Sequence, residues 1–360
     1  MKTMLVLSMG ALLLAGTLSA QTPVPEWQAG VDKVKNLIQS NPAQASEEAG
    51  ELLKGKNKKN VDLVTSVAHV YLDAGKITEA QEYLAMAKKA NNKDPKVSVL
   101  EGDIALAQKN IGQACQLYEQ AIYFDPNCKE AYLKYAQAYK SASPTQAIEK
   151  LEQLKAVDPN CLEADRELAE VYYSGNRFGK AAEMYAKFID TPLATEDDML
   201  KYAFALFLNH DFEKSLQVAQ KGLQKNARHA AFNRLVMYNN TDLKRYEDAE
   251  KAADAFFNAS DRADYSYLDY RYYGALLSAL KKYDKAIIEY GKALDKDNTQ
   301  VDLWREISDA HEMNNNYAEA IAAYRKYYDA LAKEKKTPET LFQLGRLYYG
   351  CLLYTSDAAD

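Results

Sequence analysis

The stretch ACQLYEQAIYFDPN, residues 114–127, decides how the rest of the chain is read. A small residue, Ala114, is followed four places on by Tyr118 and three further by Ala121, and Asp125-Pro126-Asn127 closes the run. Steps of three and four put these side chains on one face of a helix, and Asp-Pro-Asn is a helix-stop signal. Working outward, the opening small residue recurs at Ala80, Ala114, Ala147, Ala181, Ser215, Ala249, Ala286 and Ala320, at intervals of 34, 33, 34, 34, 34, 37 and 34 residues. Twelve residues before each stands a second set, mostly small: Ala68, Gly102, Tyr135 (or Ala136), Ala169, Ala203, Met237, Gly274 and Ser308. Large residues return four places after the first set, at Leu84, Tyr118, Leu151, Tyr185, Tyr290 and Tyr324, and Pro159 repeats the stop of Pro126.

Small residues at a crossing let two antiparallel helices approach closely, and the large ones fill the volume toward the next pair. One such pair cannot bury its own apolar face, so the units must stack. The pattern resembles the tetratricopeptide repeat: Leu84 with Ala87, Tyr118 with Ala121 and Pro126, and Tyr290 with Ala293 match its second-helix positions, and Trp304 its first-helix aromatic. The expected fold is all-α, a right-handed superhelical solenoid of antiparallel helix pairs. Eight units are expected over 61–337. Residues 338–350 are expected to be the first helix of a ninth unit that lacks its second, leaving Leu341, Leu344 and Leu347 facing water. Residues 21–60 read as a divergent capping pair, with Val31, Val34, Leu37 and Ile38 on one helix and Ala45, Ala49, Leu52 and Leu53 on the other. The sixth unit departs from the pattern at Met237 and Asn240, and three extra residues precede the seventh.

Both termini stand outside the repeat. Lys2, the apolar run Met4–Leu18 and the small Ala20 read as a secretory signal over 1–20, implying a periplasmic or secreted protein. Residues 351–360, CLLYTSDAAD, break the pattern and match the in-frame translation of a common transposase sequencing adapter, so they are set aside from the fold. The 360 residues carry 45 basic and 51 acidic side chains, a net charge of −6, which argues against a general nucleic-acid binder. A mean hydropathy of −0.46 excludes a multi-span membrane protein. Cys128 and Cys161 lie one repeat apart, too far for a disulfide, and with Cys115 they form no framework.

No catalytic constellation is legible. His69, His210, His229 and His311 fall in different units, no Gly-rich phosphate loop is present, and no metal or cofactor is expected. The resemblance implies that positions two, five, nine and twelve of each unit point into a concave groove. Position five is Arg166, Arg234, Arg271 and Arg305 in units four, six, seven and eight, and units five and six add Phe204, Phe207 and Tyr238. Guanidinium groups beside aromatic faces suit carboxylates, acidic side chains or sugars. The partner-binding candidates are thus Phe204, Phe207, Arg234, Tyr238, Arg271 and Arg305. A competing reading pairs the arginines inside the solenoid, where Arg166 neighbours Glu163, Glu167 and Glu170, and Arg305 neighbours Asp302, Glu306 and Asp309; the phenylalanines would then be core. The family's carboxylate clamp is not expected, because position six holds Leu100, Lys134, Glu167, Lys201, Leu235 and Tyr272 rather than Asn. The expected function is a non-enzymatic scaffold for protein or extended peptide, acting in cell-envelope assembly. A glycan or cell-wall fragment module and a regulatory arm of a larger enzyme stand as alternatives. Membrane insertion after signal removal is not expected, and oligomerisation is left open.

Overall fold

The computed structural model describes residues 24–259 and 264–357; the signal segment lies outside the described residues. The chain divides into two compact bodies, the first ending at Ala138 and the second starting at Tyr139.

The first body holds α1 (Gln28–Leu37), α2 (Pro42–Leu52), α3 (Val61–Asp73), α4 (Ile77–Asn91), α5 (Pro95–Ala107), α6 (Ile111–Phe124) and, at its boundary, α7 (Lys129–Tyr139). The second holds α8 (Pro144–Val157), α9 (Leu162–Ser174), α10 (Phe178–Phe188), α11 (Glu196–Leu208), α12 (Phe212–Lys225), α13 (Ala230–Asp242) and α14 (Tyr246–Asp254). It continues with α15 (Tyr267–Ala279), α16 (Tyr283–Lys296), α17 (Asp302–Met313), α18 (Tyr317–Ala330) and α19 (Pro338–Asp357). The architecture is all-α, as the 34-residue period requires.

Seven of the pairs close through the same turn. Gly75, Lys109, Asn176, His210, Lys244, Lys281 and Asn315 take positive φ between 56° and 74°. The next amide reaches back five residues, as in Lys76 N to Tyr71 O (2.9 Å) and Arg177 N to Tyr172 O (2.8 Å). This is the Schellman closure, which satisfies an orphan carbonyl and reverses the chain in three residues. Only Gly75 adopts that conformation without steric cost.

The crossing set is buried throughout: all eight small residues from Ala80 to Ala320 are inaccessible to solvent. The approach is so close that a Cβ built on Gly102 would lie 2.5 Å from the Tyr118 ring, and one on Gly274 2.7 Å from Tyr290. Where serine replaces alanine, its hydroxyl is met by the facing helix: Ser215 Oγ donates to Ala203 O and Ser308 Oγ to Ala320 O, both at 2.8 Å. In both bodies first helices touch the next first helix (α3 with α5, α11 with α13, α13 with α15, α15 with α17), whereas second helices meet mainly first helices. First helices therefore line the inner side of each stack.

The sixth unit absorbs its insertion after α14, where residues 255–259 form a single π turn, the usual way to house extra residues in a helix. Two expectations for the C-terminal unit are corrected. The last helix does not stop at 350 but runs to Asp357. Leu347 is buried and Leu344 half-buried against Tyr324 and Tyr327 of α18, so only Leu341 of the three leucines faces solvent.

Gly75→Ala is expected to destabilise the protein by about 1 kcal/mol, because alanine must adopt the left-handed conformation. Urea unfolding followed by circular dichroism checks this.

Candidate partner-binding surface

The first helices are joined by a ladder of ion pairs that run from one unit to the next. Arg166 Nε and Nη2 reach Asp198 Oδ1 and Oδ2, both at 3.0 Å. Arg234 Nε and Nη2 reach Asp269 Oδ1 and Oδ2 at 2.7 and 3.1 Å, and Nη2 also donates to Asp264 O at 2.9 Å. Arg271 grips Glu306 through Nε (2.9 and 3.2 Å) and Nη2 (2.6 Å). The bond to Glu306 raises the Arg271 pKa further, so this guanidinium is charged at every working pH.

Asp198 and Asp269 serve twice. Each is the third residue of its helix and closes a capping box, Thr195 with Asp198 and Ser266 with Asp269. Asp269, fully buried, also accepts the Tyr238 hydroxyl at 2.8 Å. Burial, then the Asp269 charge, push the Tyr238 phenol far above its ordinary pKa, so it remains a donor.

A second arrangement is found in each body. Asp103 accepts from Tyr118 (2.7 Å) and Lys134 (2.9 Å) and pairs with His69 (2.9 Å). Glu170 accepts from Tyr185 (2.7 Å) and Lys201 (2.8 Å). Burial opposes the Asp103 charge, yet its bonds to His69, Lys134 and Tyr118 hold the carboxyl below the usual carboxylate range.

These contacts reassign the candidate residues. Phe207 and Tyr238 are buried and do not face a groove; their rings lie 5.6 Å apart, and Tyr238 stacks on Tyr272 at 4.0 Å. Phe204 is half-buried against the same cluster. Arg234 and Arg271 are committed to Asp269 and Glu306, and the Arg234 guanidinium also covers the Phe256 ring at 5.1 Å. The pairing is with the next unit, not with the neighbouring acids of the same helix. Position five explains it: an Arg there meets position three or six of the following first helix, where Asp198, Asp269 and Glu306 stand.

Arg305 differs. It is exposed, its guanidinium lies 5.8 Å from the Tyr327 ring, and among the described residues no carboxylate lies within ion-pair distance of it. In α19 the two ladder positions carry Thr340 and Gln343 instead of acids. Arg305, Tyr327, Thr340 and Gln343 line an open cavity of about 350 Å³, shared with Asp309 and Glu339. A second cavity of about 280 Å³ lies on the first-helix side between α13, α15 and α17, lined by Asp242, Leu268, Arg271, Tyr272 and Glu306. There Tyr272 donates to Asp242 at 2.9 Å, while burial raises the Asp242 pKa. Asp242 and Tyr272 were not among the sequence candidates. The capping-box spacing Thr195-x-x-Asp198 and Ser266-x-x-Asp269 was the signal available for the ladder acids.

Among the described residues no group of three or more His, Cys, Asp or Glu side chains could hold a metal ion, and no helix is long and apolar enough to cross a membrane.

A tetratricopeptide repeat profile matches residues 68–128, 136–193 and 274–334, together half of the chain. The chain belongs to the tetratricopeptide repeat family, whose right-handed solenoid of helix pairs is a scaffold for protein–protein interaction. No curated protein matches it. Similar solved structures include a tetratricopeptide repeat protein from Parabacteroides merdae (14% identity over 69% of this chain and 98% of that one, TM-score 0.43). Others are PilF of Pseudomonas aeruginosa (15%, 62% and 99%, TM-score 0.47) and PilW, a type IV pilus biogenesis factor (17%, 55% and 92%, TM-score 0.45).

Asp269→Ala removes a cap, a Tyr partner and the carboxylate that grips Arg234, so a loss of about 3 kcal/mol in unfolding free energy is expected. For Asp103 the depressed pKa means its stabilisation is complete above an ordinary carboxylate pKa of about 3.9 and fades as pH falls below it. Asp103→Asn is therefore expected to destabilise at pH 7 and to flatten the acid limb of the stability profile. Melting temperature measured across pH 2–7, a range spanning about three units above and two below that pKa, checks both variants.

Proposed function

We propose that the protein is an exported, non-enzymatic scaffold that holds an acidic segment of a partner protein along its first-helix face. Arg305 carries this reading. The other three position-five arginines have their charge spent on the next unit, whereas Arg305 faces an open cavity with an aromatic wall and neutral side chains at the ladder positions. A carboxylate from a partner would take the place that Asp198, Asp269 and Glu306 fill elsewhere, making the charge-assisted, bidentate contact that arginine favours. The cavity beside Arg271 and Tyr272 adds a contact on the same side of the same body. Export rests on Lys2 and the apolar run Met4–Leu18. Together these features support a role in cell-envelope assembly.

The test is a pull-down from cell-envelope extract at graded salt, with Arg305→Glu beside the unaltered protein and Lys56→Glu as a control in an exposed turn. The expected result is a captured protein whose binding weakens as salt rises, falls at least tenfold with Arg305→Glu and is unchanged with Lys56→Glu. Equal capture by all three proteins would overturn the assignment of Arg305.

A further inference from the structure

We infer that the first body carries a saccharide site: the cavity on the first-helix side of α3, α5 and α7, closed at one end by Trp27, takes a neutral, hydroxyl-rich sugar. The inference does not rest on the proposed function, which concerns the second body.

The cavity measures about 380 Å³, within the range of small-ligand sites. Two rows of polar side chains frame it. Asp62, Lys96 and Glu130 stand one period apart on successive first helices and all line it. Lys96 Nζ donates to Asp62 Oδ1 at 2.5 Å. In the second row Asp103 joins His69, which also lines the cavity, to Lys134, at 2.9 Å on each side. One helical turn separates the rows, and there the lining is Thr65, Ser66 and Val99, short side chains that leave the space open. Trp27 closes the end. Its carbonyl accepts from the Gly30 and Val31 amides at 3.0 and 3.2 Å, which holds it at the start of α1. Half-buried, it packs against the core of α1–α5 and lines the cavity as well.

The hydrogen-bonding capacity left over suits hydroxyl groups. Among the described residues nothing accepts the Trp27 indole N–H and nothing bonds the Ser66 hydroxyl. Lys96 has donors beyond the one given to Asp62. Glu130 has only Lys134 near it, at 3.6 Å. Because the Asp103 carboxylate accepts from His69 Nε2, Nδ1 of the neutral ring is an acceptor. Ions fit worse. The carboxylates of Asp62, Asp103 and Glu130 outnumber the ammonium groups of Lys96 and Lys134, which disfavours an anion. A cation must compete with those two lysines for carboxylates they already hold. A neutral ligand leaves both rows intact. A sugar hydroxyl donates and accepts at once, so it can take a proton from Lys96 or Trp27 and offer one to Asp62 or Glu130, while the Trp27 ring supplies apolar surface for the C–H face of the sugar.

The test uses the full chain carrying Trp304→Phe, which leaves Trp27 as its one tryptophan. Its emission is followed while cellotriose, maltotriose and N,N′,N″-triacetylchitotriose are added, each to about 10 mM, a range that reaches weak binding. Trilysine is the charged control. The expected result is a saturable shift with at least one trisaccharide, the same at about 0.05 M and about 0.5 M salt because the ligand is neutral. Ser66→Leu, which fills the floor, is expected to weaken it at least tenfold. That substitution improves helix propensity, so unchanged or increased helicity by circular dichroism separates a blocked cavity from lost folding. Glu130→Ala, at a half-exposed position, is expected to weaken it several-fold. No shift with any trisaccharide overturns the inference. A sugar-induced shift that both variants leave intact overturns it as well, because the sugar then binds elsewhere, and so does a shift with trilysine alone, which gives the cavity to a cation.

Discussion

At each helix crossing the facing side chains are small enough for two backbones to come together, and the tyrosine or leucine one turn further on fills the wedge that remains. The constraint is steric and sharp. A Cβ on Gly102 would overlap the Tyr118 ring, and the serines that stand in for alanine do so only because a carbonyl across the crossing accepts their hydroxyls. Met237 is the exception. A long flexible side chain at the crossing is buried there, and around it the sixth unit becomes irregular, with buried Asn239 and Asn240 bonding back to their own helix at 2.8 and 2.9 Å. Flexible methionine fills irregular gaps that a smaller residue would leave empty. The following π turn and longer connection belong to the same local departure.

Stacking by apolar contact alone would leave the rotation between neighbouring units loosely set, since apolar contacts have little directionality. The ladder supplies direction. Asp198 and Asp269 are fixed first by their own capping boxes and then serve as rigid acceptors for an arginine from the unit before. An anchored carboxylate loses little rotamer freedom when the second partner arrives, which makes the bidentate pair effective. The cost is that charge is consumed. A first-helix surface lined with arginines in the sequence offers far fewer of them to a ligand, and the charge left exposed lies at Arg305, where the ladder runs out of acids.

The periodic small residues made the helix pairs, their number and the crossings legible, because that pattern is dictated by backbone approach and tolerates little variation. Position five was legible as arginine, but its role was not. The deciding residues, Asp198, Asp269 and Glu306, lie about one period further on, and nothing local to the arginine reveals them. Tyr238 was misread for a related reason: at position nine it projects toward the inner side, yet Tyr272 stacks over it and Asp269 captures its hydroxyl. The capping boxes were readable as helix starts, and only the fold shows that the same carboxylates are ladder rungs. The triad of Asp103, Tyr118 and Lys134 left no local signature, since its members are spread over two units.

The solvent-facing sides of α1 and α2 and of α19 differ in polarity. The solvent side of α1 and α2 is polar, with Asp32, Lys33, Lys35, Asn36, Gln44 and Glu47 exposed around a buried stripe of Val31, Val34, Ala45 and Ala49. Such a surface favours water, because covering it would strip solvent from charges without an apolar return. Helix α19 presents the opposite, a stripe of leucine and tyrosine around an open glycine. Burying that stripe would remove apolar surface from water at little polar cost, the reverse of covering α1 and α2.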